Sequence, residues 1–258
     1  MDIARSFGIV GQIIVLALVL GIMASCRASE QKTSLMVFAA ASLTDVLSEL
    51  KIEYEQQTNV DLEFNFGPSL MLAVEISHGA PADALISADP ESVGFLVDEN
   101  YADVEDVVTL ATNVMVVLVD EGIEPIVVGG IQDLGIIAIA DPQLSPAGRY
   151  AMQALRNLGI WNEVKDRVVV GTDVRAALAY LQMGNVDAAL VYKSDQTVVP
   201  NKRILDIIPT ESHDQIRYVG VPVTDGDAYR ESNGFIEFLT TSNAQAIFTK
   251  HGFVSLKP

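Results

Sequence analysis

The chain has 258 residues, half of them hydrophobic, and a formal net charge of −18. That is enough apolar material for one or two cores, and the charge disfavours nucleic acid or an anionic surface as a partner. A single Cys and three His (His78, His213, His251), with no HExxH or His-x-His pattern, exclude a disulfide framework within the chain and argue against a dedicated metal enzyme.

Residues 1–25 have the layout of a secretory signal. Arg5 is followed by an uncharged, almost wholly apolar run from Ile9 to Met23, then by small residues. Met23-Ala24-Ser25-Cys26 resembles a bacterial lipobox, which makes Cys26 the lipid-modified first residue of the mature chain. The alternative is an uncleaved membrane anchor, for which the run is short. Both readings give an exported chain tethered to a membrane, with 26–32 as a short polar tether. Asp2 and Arg5 cancel, so the chain from Cys26 onward still carries −18.

From Leu35 the pattern alternates strand and helix. Leu35 to Ala40 is an apolar run of strand length, and Thr44 to Gln57 carries Val46, Leu47, Leu50 and Tyr54 at helical spacing. Ser42 and Asp45 stand three apart, as in a capping box with Asp for Glu. Val60 to Phe66 alternates as a strand. Gly67-Pro68-Ser69 turns into a helix over 70–78, with Pro68 at a favoured first position. Asp83 to Ser87 is a strand, and Asp89-Pro90 opens a helix that runs to Asn100.

Val107 to Val119 is a long β-branched run broken only at Ala111-Thr112-Asn113, which reads as a strand passing between two bodies. A Gly- and Pro-rich loop follows over 121–130. Strands are expected at 136–140, 168–170, 187–192, 204–208 and 217–223. Helices are expected from about Ala147 to Leu158, from Val174 to Met183, over 229–241 and over 243–251. This alternation predicts an α/β protein with mostly parallel sheets. It divides into two lobes, 33–110 with 217–258, and 111–216. Ligands of such sheets lie beyond the carboxyl ends of the strands, here between the lobes.

Four strand-to-helix turns share one property. Ser42, Ser69, Ala147 and Val174 each fall in the first turn of an expected helix, where backbone N–H groups lack helical acceptors and the dipole adds partial positive charge. Two of them add a hydroxyl. Tyr192 ends a strand with an O–H that stays protonated near neutral pH. Taken singly, a Ser that opens a helix is usually an N-cap, and a Tyr at a strand end is usually core edge. Taken together, the five form a shell of neutral donors.

The residues around these turns resemble the molybdate-binding proteins of molybdate uptake transporters. The resemblance begins at Val37-Phe38-Ala39-Ala40-Ala41-Ser42-Leu43. It continues through Gly79-Ala80-Pro81-Ala82-Asp83, Ile86-Ser87-Ala88-Asp89, Asp141-Pro142, Pro146-Ala147-Gly148 and Tyr150-Ala151. Asp173-Val174-Arg175, Val191-Tyr192, Ser194-Asp195, Ala246-Ile247-Phe248 and His251-Gly252-Phe253 complete it. It covers nearly all of the mature chain, and the motifs are specific jointly rather than singly.

The resemblance implies a two-lobed periplasmic-binding-protein fold of type II, with the ligand in the interlobe cleft. It implies Ser42, Ser69, Ala147, Val174 and Tyr192 as the molybdate ligands, with no direct protein bond to molybdenum and no cofactor. It further implies a monomer, not an enzyme, that carries molybdate or tungstate to an ABC permease and faces the periplasm or exterior from a lipid anchor on Cys26. This chain departs from the pattern at Gly67-Pro68-Ser69-Leu70, where relatives often carry several serines and only one hydroxyl remains here.

No Lys or Arg stands at the five positions, which resolves the apparent conflict between an acidic protein and an anionic ligand. N–H and O–H dipoles suffice in a dry cleft, and a donor-only shell favours an oxoanion without a proton. Arg149 and Arg175 flank the turns, either to steer an anion or simply as exposed helix-face charges. Two alternatives stay open: a binder of another oxoanion such as sulfate, and a serine-dependent hydrolase. Against the latter, Ser42 and Ser69 have no nearby His and no Gly-x-Ser-x-Gly elbow.

Overall fold

The computed structural model describes residues 32–122, 130–224 and 228–256. The expected signal segment, Cys26, all of the tether but Lys32, and the middle of the 121–130 loop lie outside the described residues. Among the described residues no helix is long and apolar enough to cross a membrane.

Two sheets organise the chain. The first takes β1 (Thr33–Ala40), β2 (Val60–Gly67), β3 (Ala84–Ser87), β4 (Val108–Thr112), β10 (Arg217–Pro222) and β11 (Val254–Ser255), in the order β11-β4-β10-β3-β1-β2. The second takes β5 (Met115–Asp120), β6 (Ile137–Ala140), β7 (Val168–Gly171), β8 (Ala188–Tyr192) and β9 (Lys202–Ile207), in the order β7-β6-β8-β5-β9. The helices are α1 (Thr44–Gln57), α2 (Ser69–Ser77), α3 (Pro90–Asp98), α4 (Pro146–Asn157), α5 (Trp161–Val164), α6 (Val174–Gln182), α7 (Tyr229–Leu239) and α8 (Ser242–Lys250).

The expectation of mostly parallel sheets needs correction, because both are mixed. β1 runs parallel to β2 and β3, and β6 parallel to β7 and β8. β10 is antiparallel to β3 and β4, β11 to β4, and β5 to β8 and β9. The parallel strands are those that follow one another through helices, β1-α1-β2-α2-β3 and β6-α4-β7-α6-β8. The antiparallel strands β4, β5, β9 and β10 adjoin the two stretches that carry the chain from one sheet to the other. Of these, β4 follows α3 and lies parallel to β3 with β10 between them, whereas no such helix precedes β5, β9 or β10.

The long run through 107–119 divides at Asn113-Val114, with β4 in the first sheet and β5 in the second. All of Met115 to Val119 is fully buried, the mark of a strand covered on both faces. α1 buries Val46, Leu47, Leu50 and Tyr54, the residues its periodicity singled out. α7 and α8 return to the first sheet and to α1, with Phe235 and Phe248 fully buried.

Candidate functional site

The carboxyl ends of β1, β2, β6 and β7 each feed a helical turn. Ser42 sits in a single 3-10 turn, Ala41–Leu43, directly before α1. Ser69 is the first residue of α2, after Pro68 in the N-cap position. Ala147 is the second residue of α4, and Val174 the first of α6. Two glycines allow these turns to approach the sheet. A Cβ on Gly148 would lie 2.2 Å from the Ala140 carbonyl oxygen, and one on Gly171 would lie 2.7 Å from the Ala177 nitrogen. Both neighbours are main chain, so no side chain can move aside.

The four turns and Tyr192 line one cavity, together with Ala40, Ala41, Gly67, Ala88, Ser145, Pro146 and Asp173. It is small, with ≈ 10 Å³ open to the centre of a water-sized sphere, about the least that holds a single water. All five residues picked from the sequence are thus brought together, and each is at least 97% buried. No Lys or Arg belongs to the lining. Its one charged residue, Asp173, turns Oδ1 to the N–H groups of Arg175 and Ala176, at 2.8 and 2.9 Å. The cap takes those two donors of α6 and makes no bond to that of Val174.

The hydroxyls are arranged as donors. Ser69 Oγ accepts the Ala88 N–H at 3.1 Å, which leaves its own proton for the cavity. Tyr192 Oη is buried and has no hydrogen-bond partner in the protein. Burial holds the Tyr192 phenol far above its ordinary pKa, so it remains an O–H. A buried hydroxyl without a partner costs about 1–3 kcal/mol, which marks a group kept for something other than stability.

The capping box expected at Ser42 and Asp45 is not formed. Leu43 takes the N-cap position of α1 with no side-chain bond. Ser42 lies inside the 3-10 turn, and its hydroxyl meets Tyr218 Oη at 2.9 Å across 176 residues of sequence. Asp45 Oδ2 instead accepts from Arg175 Nη2 at 2.6 Å. A tertiary partner outcompetes the local cap in both cases. Pro68 likewise occupies the N-cap position rather than the first helical one.

The two arginines are neither in the lining nor free on a helix face. Arg149 on α4 pairs with the buried Asp89 at the start of α3, and with Glu91 at 2.9 Å. Arg175 on α6 pairs with Asp45 on α1, donates to the Ser42 carbonyl at 3.3 Å, and places Nε 3.4 Å from Asp195 Oδ1. Each therefore ties a helix of the second sheet to one of the first. A main-chain bond crosses the same seam, from Leu70 N–H to the Leu144 carbonyl at 3.2 Å.

Three residues escaped the sequence reading. Ser145 lines the cavity and makes no cap bond; a Ser directly before Pro146 at a helix start was its available signal. Asn113 and Tyr218 carried none, because each looks like ordinary strand-end or core sequence. Among the described residues no group of three or more His, Cys, Asp or Glu is placed to hold a metal ion.

Known proteins share this arrangement of chain. YvgL of Bacillus subtilis (strain 168) is 35% identical over 230 residues, covering 88% of either chain. The molybdate-binding protein ModA of Escherichia coli (strain K12) is 31% identical over 225 residues, 84% of this chain and 87% of that one. ModA of Haemophilus influenzae is 30% identical over 245 residues, covering 92% and 94%. Among solved structures, the periplasmic molybdate-binding protein of Azotobacter vinelandii superposes with a TM-score of 0.75 at 22% identity, over 86% of this chain and all of that one. The sulfate-binding protein SubI of Mycobacterium tuberculosis H37Rv gives 0.77 at 17% identity, over 88% of each. The fold is thus that of the type II periplasmic binding proteins. Residues 35–254 match the family described as bacterial extracellular solute-binding protein, and with the ModA relatives this makes the chain a ModA-like member of that family.

Proposed function

We propose that the chain binds a tetrahedral oxoanion dianion, molybdate and also tungstate, in the cavity between the two sheets and delivers it to an ABC permease. The observation that carries this reading is a cage of neutral donors. Four helix-start turns and a buried Tyr192 O–H without a protein partner converge on one small cavity with no Lys or Arg in its wall. Ser42, Ser69 and Tyr192 give hydroxyl protons; Ala147 and Val174 give backbone N–H. The names of the ModA relatives support molybdate. In this reading residues 33–110 with 217–258 form one lobe and 111–216 the other, closing about the ion.

Binding and carriage, not turnover, is the proposed activity, as in the solute-binding family. The exported, lipid-tethered state through Cys26 belongs to the same reading. It is supported by the lipobox-like Met23-Ala24-Ser25-Cys26 and by YvgL, provisionally named an ABC transporter substrate-binding lipoprotein.

Isothermal titration of the mature domain with molybdate, tungstate, sulfate and phosphate tests the ligand. Molybdate and tungstate are expected to bind tightly and phosphate not at all; sulfate bound in preference to molybdate would replace the reading with the sulfate one. The combined Ser42→Ala and Tyr192→Phe variant is expected to lose most of the affinity, and unchanged binding would place the site elsewhere.

A further inference from the structure

Two buried side chains at the sheet-to-sheet connections take no part in the cage yet touch it through hydrogen bonds. Asn113 stands between β4 and β5, and Tyr218 is the second residue of β10; both are buried. Their bonds have a direction that elementary chemistry fixes. The Val114 N–H can only donate, and it donates to Asn113 Oδ1 at 2.9 Å. That contact sets which end of the amide is oxygen. The amide nitrogen then faces Ser194 Oγ at 2.8 Å and Tyr218 Oη at 3.4 Å.

An amide NH₂ has no lone pair to offer. Tyr218 therefore cannot return its proton to Asn113, and its remaining partner is Ser42 Oγ at 2.9 Å. Tyr218 donates and Ser42 accepts. A serine that accepts on that side has its own proton left, and the remaining direction is the cavity it lines. The Tyr218 ring also lies edge-on to that of Tyr192, with centroids 6.0 Å apart, so it packs against two cage residues.

We propose that Tyr218, oriented by Asn113, is a specificity-determining residue that commits Ser42 to donating and so denies a protonated oxoanion an acceptor at that position. The proposal rests on the oxoanion reading above and adds the residue that enforces it. A ligand O–H needs an acceptor in the wall. Ser42 becomes one only by turning its proton to Tyr218, and Tyr218 only by turning its own to a nitrogen that cannot accept it. Ser69 is committed in the same sense by the Ala88 N–H. The discrimination at Ser42 thus originates in two residues that do not line the cavity.

Two variants test this by titration with molybdate and with inorganic phosphate at neutral pH. Tyr218→Phe frees the Ser42 hydroxyl to rotate, and the molybdate-to-phosphate affinity ratio is expected to fall by roughly tenfold or more. Asn113→Asp keeps the shape of the side chain but supplies an acceptor. Tyr218 then donates to the carboxylate, Ser42 donates to Tyr218, and a lone pair faces the cavity. Molybdate binding is expected to weaken while phosphate binding strengthens. A merely structural role would weaken both ions in parallel, and an unchanged ratio in either folded variant overturns the proposal. Should Tyr218→Phe fail to fold, the near-isosteric Asn113→Asp decides alone. Wild-type protein that binds no molybdate would refute the proposed function itself, an outcome distinct from wild-type binding with unaltered selectivity in the variants.

Discussion

Replacing Tyr192 by Phe should move stability and affinity in opposite directions. The phenol oxygen is buried against the cavity without a protein partner. A buried hydroxyl without a protein partner costs up to about 1–3 kcal/mol, whereas in the proposed complex it would donate to a dianion. Hydrogen bonds to charged groups are worth roughly 1.5–3 kcal/mol, and each 1.4 kcal/mol is about tenfold in affinity. Molybdate binding should therefore weaken by roughly ten- to a hundredfold. The ring contact with Tyr218 at 6.0 Å survives the change, so removal of the hydroxyl should stabilise the free protein by about 1 kcal/mol. For a domain of this size that is roughly 2–4 °C in Tm. Titration calorimetry gives the first quantity, and thermal unfolding without ligand gives the second. A Phe variant that binds as tightly as wild type, or melts lower, would refute the assignment of this oxygen as a reserved donor.

Two further predictions concern the charges around the cage. Arg149→Ala strands the buried Asp89 carboxylate and should cost roughly 3 kcal/mol in denaturant unfolding, whereas Glu91→Ala, which removes the exposed partner of the same arginine, should cost under about 0.5 kcal/mol; equal effects would contradict the difference in burial. Asp195 is fully buried, and burial raises its carboxyl from 3.8 to about 6, opposed in part by Arg175 and by the Tyr192 N–H bond. Between pH 4 and 6 the folded chain keeps a proton that the unfolded chain releases. Stability contributed at this site is therefore present below pH 4 and lost as the pH rises through 6, by about 3 kcal/mol in all. Asp195→Asn should remove that slope, so its stability relative to wild type should grow over this window, and a flat difference curve in pH-dependent unfolding would falsify the assignment.

The helices and most strands were readable from local pattern because their signals are local. α1 matches its expected span because Val46, Leu47, Leu50 and Tyr54 are all core contacts of one face. The five residues picked from helix-start chemistry and from the family motifs line one cavity, because both signals point to the same strand-to-helix turns. What escaped depends on partners distant in sequence. Nothing near Ser42 announces that Tyr218, 176 residues away, takes its hydroxyl from the cap. Nothing near Arg175 announces Asp45, 130 residues upstream. The antiparallel half of each sheet escaped for a related reason. Alternation of strand and helix fixes the direction of strands on either side of a crossover helix, but not of strands that exchange between sheets.

The paired connection between the sheets limits how the molecule can move. Thr112 pairs with Arg217 at the end of the β4–β10 ladder, and Val116 with Ile207 at the end of the β5–β9 ladder. The two linking segments therefore run beside each other, clamped by a ladder at both ends. A single linking segment would permit both bending and swivelling, whereas two, held together by a ladder at each end, resist torsion and leave one soft axis. On the two-lobe reading proposed above, closure about that axis would bring Ser42 and Ser69 to face Ala147 and Val174 across the cavity they line. A site built from the starts of four separate helices is thus held in register by the linkage together with the Arg149–Asp89 and Arg175–Asp45 pairs that cross the same seam.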